Sequence, residues 1–150
     1  ITLGAALVKS GGHEHFHNLQ AQIGCSPQND ISEKPDLWLT EGTAEYFGWQ
    51  AAMAFGISPG NYQRFISSGK ARQAEVELRA YEYYSPQLGA QYQLWVAAVG
   101  YLVEDISSPA AWVTYCRARG QRIEWRTAFQ SAFGLTTDEF YDRFSEWARR

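Results

Sequence analysis

The spacing of apolar residues constrains the fold of this chain more than any other feature of its sequence. No stretch alternates apolar and polar residues between hairpin turns, whereas several segments place apolar residues three or four positions apart, as a helix face requires. The sequence therefore predicts a mainly α-helical protein. We expect residues 1–150 to form one helical domain, because this length suffices for one packed core and no repeat or low-complexity tract divides it.

Turn-forming residues and capping residues mark where the helices begin and end. A loop is predicted at 24–35, and a tyrosine-rich connection follows residue 80. Thr136 to Glu139 has the capping-box pattern and opens a terminal amphipathic helix, while Ser108-Pro109 is typical of a helix start. The other helices are predicted at residues 2–23, 36–55, 61–80, 90–105, 109–118 and 124–133.

Composition excludes several classes of protein. Apolar residues make up 45% of the chain and charged residues 19%, with six Trp, nine Tyr and eight Phe, which is typical of a packed globular protein. The net charge is −3 and no basic run is present, so no nucleic-acid partner is predicted. No apolar run approaches the length of a membrane span, so none is predicted in this chain.

The chain opening and the two cysteines bear on processing and compartment. The first ten residues lack a basic leading segment and a cleavage pattern, and the chain does not begin with Met, so we expect a fragment or a processed form.

Cys25 and Cys116 can form one disulfide or remain two separate thiols. The sequence leaves both possibilities open, and with them the compartment. It makes no prediction of oligomeric state.

All three histidines of the chain lie in one run of five residues, His13-Glu14-His15-Phe16-His17. Because an α-helix advances about 100° and about 1.5 Å per residue, His13 and His17 share one face and can reach a single metal ion. Glu14 lies about 100° round from His13, beside the ion, where a base acting on water is needed. His15 points away from that face and Phe16 faces the adjoining core, so neither is expected to bind metal.

A catalytic zinc site normally has three protein ligands and one open position, so a third ligand must come from elsewhere. Residues 18–40 separate His17 from Glu41, which is enough chain to turn back and lay a second helix beside the first. Glu41 can then enter the metal site as the carboxylate ligand. The predicted ligands are therefore His13, His17 and Glu41.

Glu45 lies one helical turn beyond this carboxylate and on the same face. It is placed to accept the free ring N–H of a metal-binding histidine, and we expect that histidine to be His13. The residues between the two carboxylates are small, namely Gly42, Thr43 and Ala44. We expect them to let the two helices approach closely enough for a shared metal.

The phrase HEHFH at 13–17, followed by WLTEGTAEYFG at 38–48, resembles the gluzincin metallopeptidases, whose pattern is HExxH with a zinc-binding Glu on a second helix. WLTEG is similar to the WLNEG of M1-type aminopeptidases and to a WLSEG-like phrase of the bacterial peptidase-MA-like proteins. Residues 92–102 resemble the family segment in which a tyrosine opens an apolar helix that ends in Tyr-Leu. The resemblance implies the zincin catalytic helical subdomain, with the N-terminal β-lobe absent or truncated.

The same resemblance implies an activity, which is zinc-dependent hydrolysis of peptide bonds by a metal-activated water. It implies Zn²⁺ as cofactor, a peptide or protein as substrate, and Glu14 as general base. The oxyanion-stabilising role of the family tyrosine falls on Tyr92. An extracytoplasmic or secreted bacterial setting is also implied.

The sequence departs from the family pattern before its first motif and within its apolar helix. Ser10-Gly11-Gly12 replaces bulky apolar residues before the motif, so we expect the helix to start late or bend there. Trp95 stands where M1-type sequences have Gly.

The chain can alternatively be an inactive helical binding module stabilised by a structural metal, or a gluzincin-like hydrolase of a non-peptide bond. A closed structural site needs a fourth protein ligand, and neither cysteine lies in the two motif segments.

Overall fold

The computed structural model describes residues 3–25, 35–82 and 91–150, and within these ranges it contains helices and no β-strand. This confirms the prediction of a mainly α-helical domain. A 3₁₀ helix at Leu78–Glu82 and a π-helical turn at Leu102–Ile106 accompany the α-helices. The α-helices are α1 Leu3–Ile23, α2 Leu37–Ala54, α3 Pro59–Gln73, α4 Tyr92–Tyr101, α5 Pro109–Gly120, α6 Trp125–Phe133 and α7 Thr137–Ala148.

The boundaries follow the predicted signals at most helix ends. The capping box of Thr136 and Glu139 is present at the start of α7, and Gly134 ends α6 in the left-handed conformation with φ 77°. Pro109 begins α5 as predicted, but the Ser108 side chain makes no capping hydrogen bond.

Two predicted helices differ in detail from those observed. The helix predicted at 61–80 ends at Gln73, and the helix predicted at 90–105 changes to π-helical geometry after Tyr101. Most of the predicted loop at 24–35, and all but the first two residues of the tyrosine-rich connection at 81–89, lie outside the described residues.

The core is built around α2 and α4. Helix α2 packs against α1 on one side and α4 on the other, and α4 also packs against α3. Every α4 residue from Leu94 to Gly100 is buried, so this helix lies inside the domain as its apolar sequence predicts. Phe140 and Phe144 of α7 are fully buried, while Trp147 is partly buried against Tyr101.

Two glycines allow α1 and α2 to approach closely. A Cβ atom on Gly48 would lie 2.8 Å from the Lys9 carbonyl oxygen, and one on Gly12 would lie 3.2 Å from the Gly48 Cα. Helix α1 is continuous from Leu3 to Ile23, so the expected late start at residues 10–12 was wrong. Gly12 is there because the two backbones meet at this point.

Gly42 serves a different contact from the one predicted. A Cβ atom on Gly42 would lie 2.9 Å from the Trp95 carbonyl oxygen, so this glycine admits α4 rather than α1. The prediction that Gly42 brings the two motif helices together was therefore wrong. The reason is rotational: Gly42 follows Glu41 directly, so it points about 100° away from the face that carries the carboxylates.

A disulfide joins the C-terminal end of α1 to α5. Cys25 and Cys116 are bonded and buried, with their Cα atoms 4.7 Å apart. This resolves the alternative that the sequence left open. Among the described helices, none combines the length and apolar character needed to cross a bilayer.

Candidate metal site

His13 and His17 lie one turn apart on α1 with their rings turned toward one another. Their Nε2 atoms are 3.0 Å apart and their ring centroids 4.6 Å apart. His15 is exposed, and Phe16 stacks on Phe47 with ring centroids 4.3 Å apart, as the helical spacing predicts. The two outer histidines of the run therefore point their Nε2 atoms at one place.

Glu41 reaches the same place from α2. Its Oε2 atom is 3.7 Å from His13 Nε2, and its Oε1 atom is 3.5 Å from His17 Nε2. One ligand atom from each of the three residues lies within 4.8 Å of the other two, an arrangement that could hold a metal ion. Two atoms bound at about 2.1 Å to a tetrahedral ion are about 3.4 Å apart, so the observed separations fit such an ion.

The three candidate ligands remain partly open to solvent. Their side chains are 13%, 17% and 22% exposed for His13, His17 and Glu41, so a further molecule can reach the group. In the described part of the chain, no fourth His, Cys, Asp or Glu joins them. Both cysteines are committed to the disulfide. Within the described residues the group thus offers three candidate ligands, the number typical of an open site rather than the four of a closed one.

Glu45 contacts His13 as predicted. Its Oε2 atom is 3.1 Å from His13 Nδ1, and its Oε1 atom forms an ion pair with Lys9, one turn earlier on α1. Burial acts to raise the pKa of Glu45, but the hydrogen bonds from His13 and Lys9 outweigh it and lower that pKa. Because a carboxylate can only accept, His13 Nδ1 donates and leaves its Nε2 lone pair for a metal.

His17 has a partner of its own that was not predicted from the sequence. Its Nδ1 atom is 2.7 Å from Oε1 of Gln20, whose Nε2 atom donates to the Thr40 carbonyl oxygen at 2.9 Å. The Gln20 side chain is fully buried. A sequence signal existed, because Gln20 lies three positions after His17 and hence on the same helix face.

Charge complementarity links Glu41 to the histidines. Burial acts to raise the pKa of Glu41, but the nearby rings of His17 and His13 outweigh it and lower that pKa. The Glu41 carboxylate in turn raises the pKa of His17 despite burial. The carboxylate is therefore ionised at neutral pH, which is the state that binds a cation.

Tyr92, the first residue of α4, also lies at this group. Its ring centroid is 6.1 Å from that of His13, and its hydroxyl donates to Glu41 Oε2 at 3.3 Å. Burial and the Glu41 carboxylate raise the pKa of Tyr92 to about 12, so the hydroxyl keeps its proton at neutral pH. Below it, Trp95 is 1% exposed and belongs to the core.

Glu14 is exposed on α1 beside the candidate ligands. It makes no side-chain contact with them in the structure, but its charge contributes to raising the pKa of both His17 and Tyr92. The carboxylate is therefore near the group and free to meet a molecule that binds there.

Comparison of the chain with protein-family models, curated proteins and solved structures finds no significant match. The structure thus shows a helical domain in which His13, His17 and Glu41 form a group that could hold a metal ion.

Proposed function

We propose that this chain is a zinc metallopeptidase of the gluzincin type, in which His13, His17 and Glu41 hold Zn²⁺. The observation that carries the proposal is the convergence of two imidazole Nε2 atoms and one carboxylate, from two helices, at separations that suit one tetrahedral ion. Two histidines and one glutamate with an open position form a ligand set of catalytic zinc. The two helices then correspond to the catalytic helical subdomain of that family.

Zinc bound to this group would lower the pKa of a water molecule toward about 7 and polarise the carbonyl of the bond to be cleaved. Glu14 acts as the general base, because its exposed carboxylate accepts a proton at the edge of the group. It then returns that proton to the amine that leaves. His13 and His17 stay neutral in this scheme and serve only as ligands.

Tyr92 supplies a hydrogen-bond donor. Its hydroxyl donates to Glu41 in the structure, and it stays protonated because its pKa is raised to about 12. When Glu41 binds a cation, this hydroxyl can turn to the carbonyl oxygen of a substrate, where negative charge develops. Loss of such a donor typically raises the barrier by about 2.7–4 kcal/mol.

The disulfide supports an extracytoplasmic or secreted setting for this hydrolase. Cys25 and Cys116 are bonded, and disulfides persist mainly in oxidising compartments. A peptidase in such a compartment meets peptides and proteins as substrates, in keeping with the proposed reaction.

The test combines metal binding with turnover. Purified protein is analysed for metal content, its metal is located by anomalous X-ray scattering at the zinc edge, and cleavage of a mixed peptide library is measured by mass spectrometry. We expect about one Zn²⁺ per chain at His13, His17 and Glu41, and peptide cleavage that Glu14→Gln abolishes without loss of zinc. Glu77→Gln, an exposed change after α3, is the matched control and should cleave like the wild type.

Each contrary result removes a defined part of the proposal. If the protein binds zinc but shows no cleavage that Glu14→Gln abolishes, the chain is a metal-stabilised binding module. Cleavage of esters or other bonds, but not of peptides, indicates a hydrolase of a different bond. Peptide cleavage that survives Glu14→Gln removes Glu14 from the mechanism, and absence of zinc binding removes the metal site itself.

A further inference from the structure

Gln20 is the only fully buried side chain that α1 contributes within the described residues. A buried amide is costly unless its polar atoms are hydrogen-bonded. Both ends of this amide are used: Nε2 lies 2.9 Å from the Thr40 carbonyl oxygen, and Oε1 lies 2.7 Å from His17 Nδ1. Gln20 therefore bridges a candidate metal ligand on α1 to the main chain of α2.

The Thr40 carbonyl determines which way this amide is turned. A carbonyl oxygen can only accept, so it must face the amide nitrogen, and the amide oxygen must then face His17. Because the amide oxygen also can only accept, His17 Nδ1 has to be the donor. A neutral imidazole with its proton on Nδ1 keeps its lone pair on Nε2, the atom that faces His13 and Glu41.

We propose that Gln20 is a positioning residue of the metal site, which holds His17 in the Nδ1–H tautomer with its Nε2 lone pair directed at the ion. The inference rests on the proposed metal site. Thr40 immediately precedes Glu41, so the bridge aligns one ligand directly against the backbone that carries another. This arrangement is the neutral counterpart of the contact between His13 and Glu45.

The hydrogen bonds of Glu45 to His13 and of Gln20 to His17 together favour the binding of a cation. Glu45 fixes the lone pair of His13 on Nε2, and Gln20 does the same for His17. Two lone pairs that face each other across 3.0 Å repel unless a positive charge lies between them. Fixing both tautomers therefore favours a bound cation over an empty site.

The experiment measures the affinity for Zn²⁺ itself, by calorimetry with a competing chelator, at a temperature where circular dichroism shows every variant folded. Gln20→Met keeps the chain length and removes both hydrogen bonds, and we expect about 10- to 100-fold weaker binding. Gln20→Glu keeps an acceptor for His17 and should bind with intermediate affinity. Gln22→Met, an exposed change on the same helix, is the control and should stay within about twofold of the wild type.

A second readout separates positioning from mere structural support. In the zinc-loaded wild type, the His17 Nδ1 proton should give a ring N–H resonance protected from exchange, and Gln20→Met should remove that protection. If Gln20→Met only lowers the free energy of unfolding and leaves zinc affinity and this proton unchanged, the inference is wrong while the metal site stands. If the wild type binds no zinc, the metal site is wrong and the inference falls with it.

Discussion

Gly48→Ala tests whether the metal site depends on the close crossing of α1 and α2. The new Cβ would lie 2.8 Å from the Lys9 carbonyl oxygen and 3.4 Å from the His13 Cβ, whereas ordinary contact begins near 3.4 Å. The helices must therefore separate by about 0.6 Å beside a candidate metal ligand, and metal–ligand distances tolerate only about 0.2 Å. Such overpacking costs about 1–3 kcal/mol.

The separated helices must close again when zinc binds, so this cost is subtracted from the binding free energy. At 1.4 kcal/mol for each factor of ten, zinc affinity should fall by about 5- to 150-fold. In the zinc-free protein, the higher helix propensity of alanine offsets about 1 kcal/mol of the overpacking cost. The free energy of unfolding should therefore fall by at most about 2 kcal/mol.

Gly11→Ala is the matched control, because a Cβ there meets nothing within 4 Å. It should raise the free energy of unfolding by about 0.5–1 kcal/mol and leave zinc affinity unchanged. Zinc titration by calorimetry and urea unfolding of both variants give the two quantities. Zinc affinity in Gly48→Ala equal to that of the wild type would refute the argument that this crossing sets the ligand geometry.

Two further predictions concern stability. Replacing Cys25 and Cys116 together by Ala should lower the free energy of unfolding by up to about 4.6 kcal/mol, the loop-closure value for their separation of 91 residues, and urea unfolding in the absence of reductant checks this. Glu124 caps α6 by accepting from the backbone N–H groups of Arg126 and Thr127, so Glu124→Ala should cost about 1 kcal/mol at pH 7. Burial acts to raise the pKa of Glu124, but these hydrogen bonds outweigh it and hold that pKa below its ordinary value, so the charged cap contributes fully above the ordinary pKa of a glutamate. The difference between Glu124→Ala and the wild type should shrink as the pH falls through the folded pKa, and a difference independent of pH would contradict the capping argument.

The residues of the candidate site could be predicted because helical periodicity fixes which side chains share a face. His13 and His17 follow from their spacing of four, and Glu45 follows from Glu41 in the same way. Only one non-local assumption was needed, namely that a second helix lies beside the first. The structure supports that assumption through the contacts of both carboxylates with the histidines.

The remaining features depend on how the helices are rotated and how closely they cross, which local spacing does not determine. Gly12 and Gly48 stand 36 positions apart in the sequence, and only the folded backbones show that they meet. Gly42 was assigned to the wrong neighbour for the same reason. The partner of Gln20 is the main-chain carbonyl of Thr40. Every residue has such a carbonyl, so the residue type at this position does not indicate the contact. Tyr92 could be placed only by resemblance, because its approach to Glu41 depends on the packing of α4 against α2.

Helix α1 is held by polar contacts and a disulfide as well as by apolar packing such as that of Phe16 on Phe47. Its N-terminal turns leave Leu3 and Leu7 at 79% and 65% exposure, so apolar burial contributes little to holding this end of the helix. Three other attachments hold α1 in place: the ion pair of Lys9 with Glu45, the buried bridge of Gln20, and the disulfide at Cys25. The first two also orient the candidate metal ligands. A cation bound between α1 and α2 would therefore complete a set of contacts that already serves to attach the helix, so that metal binding and the docking of α1 stabilise one another.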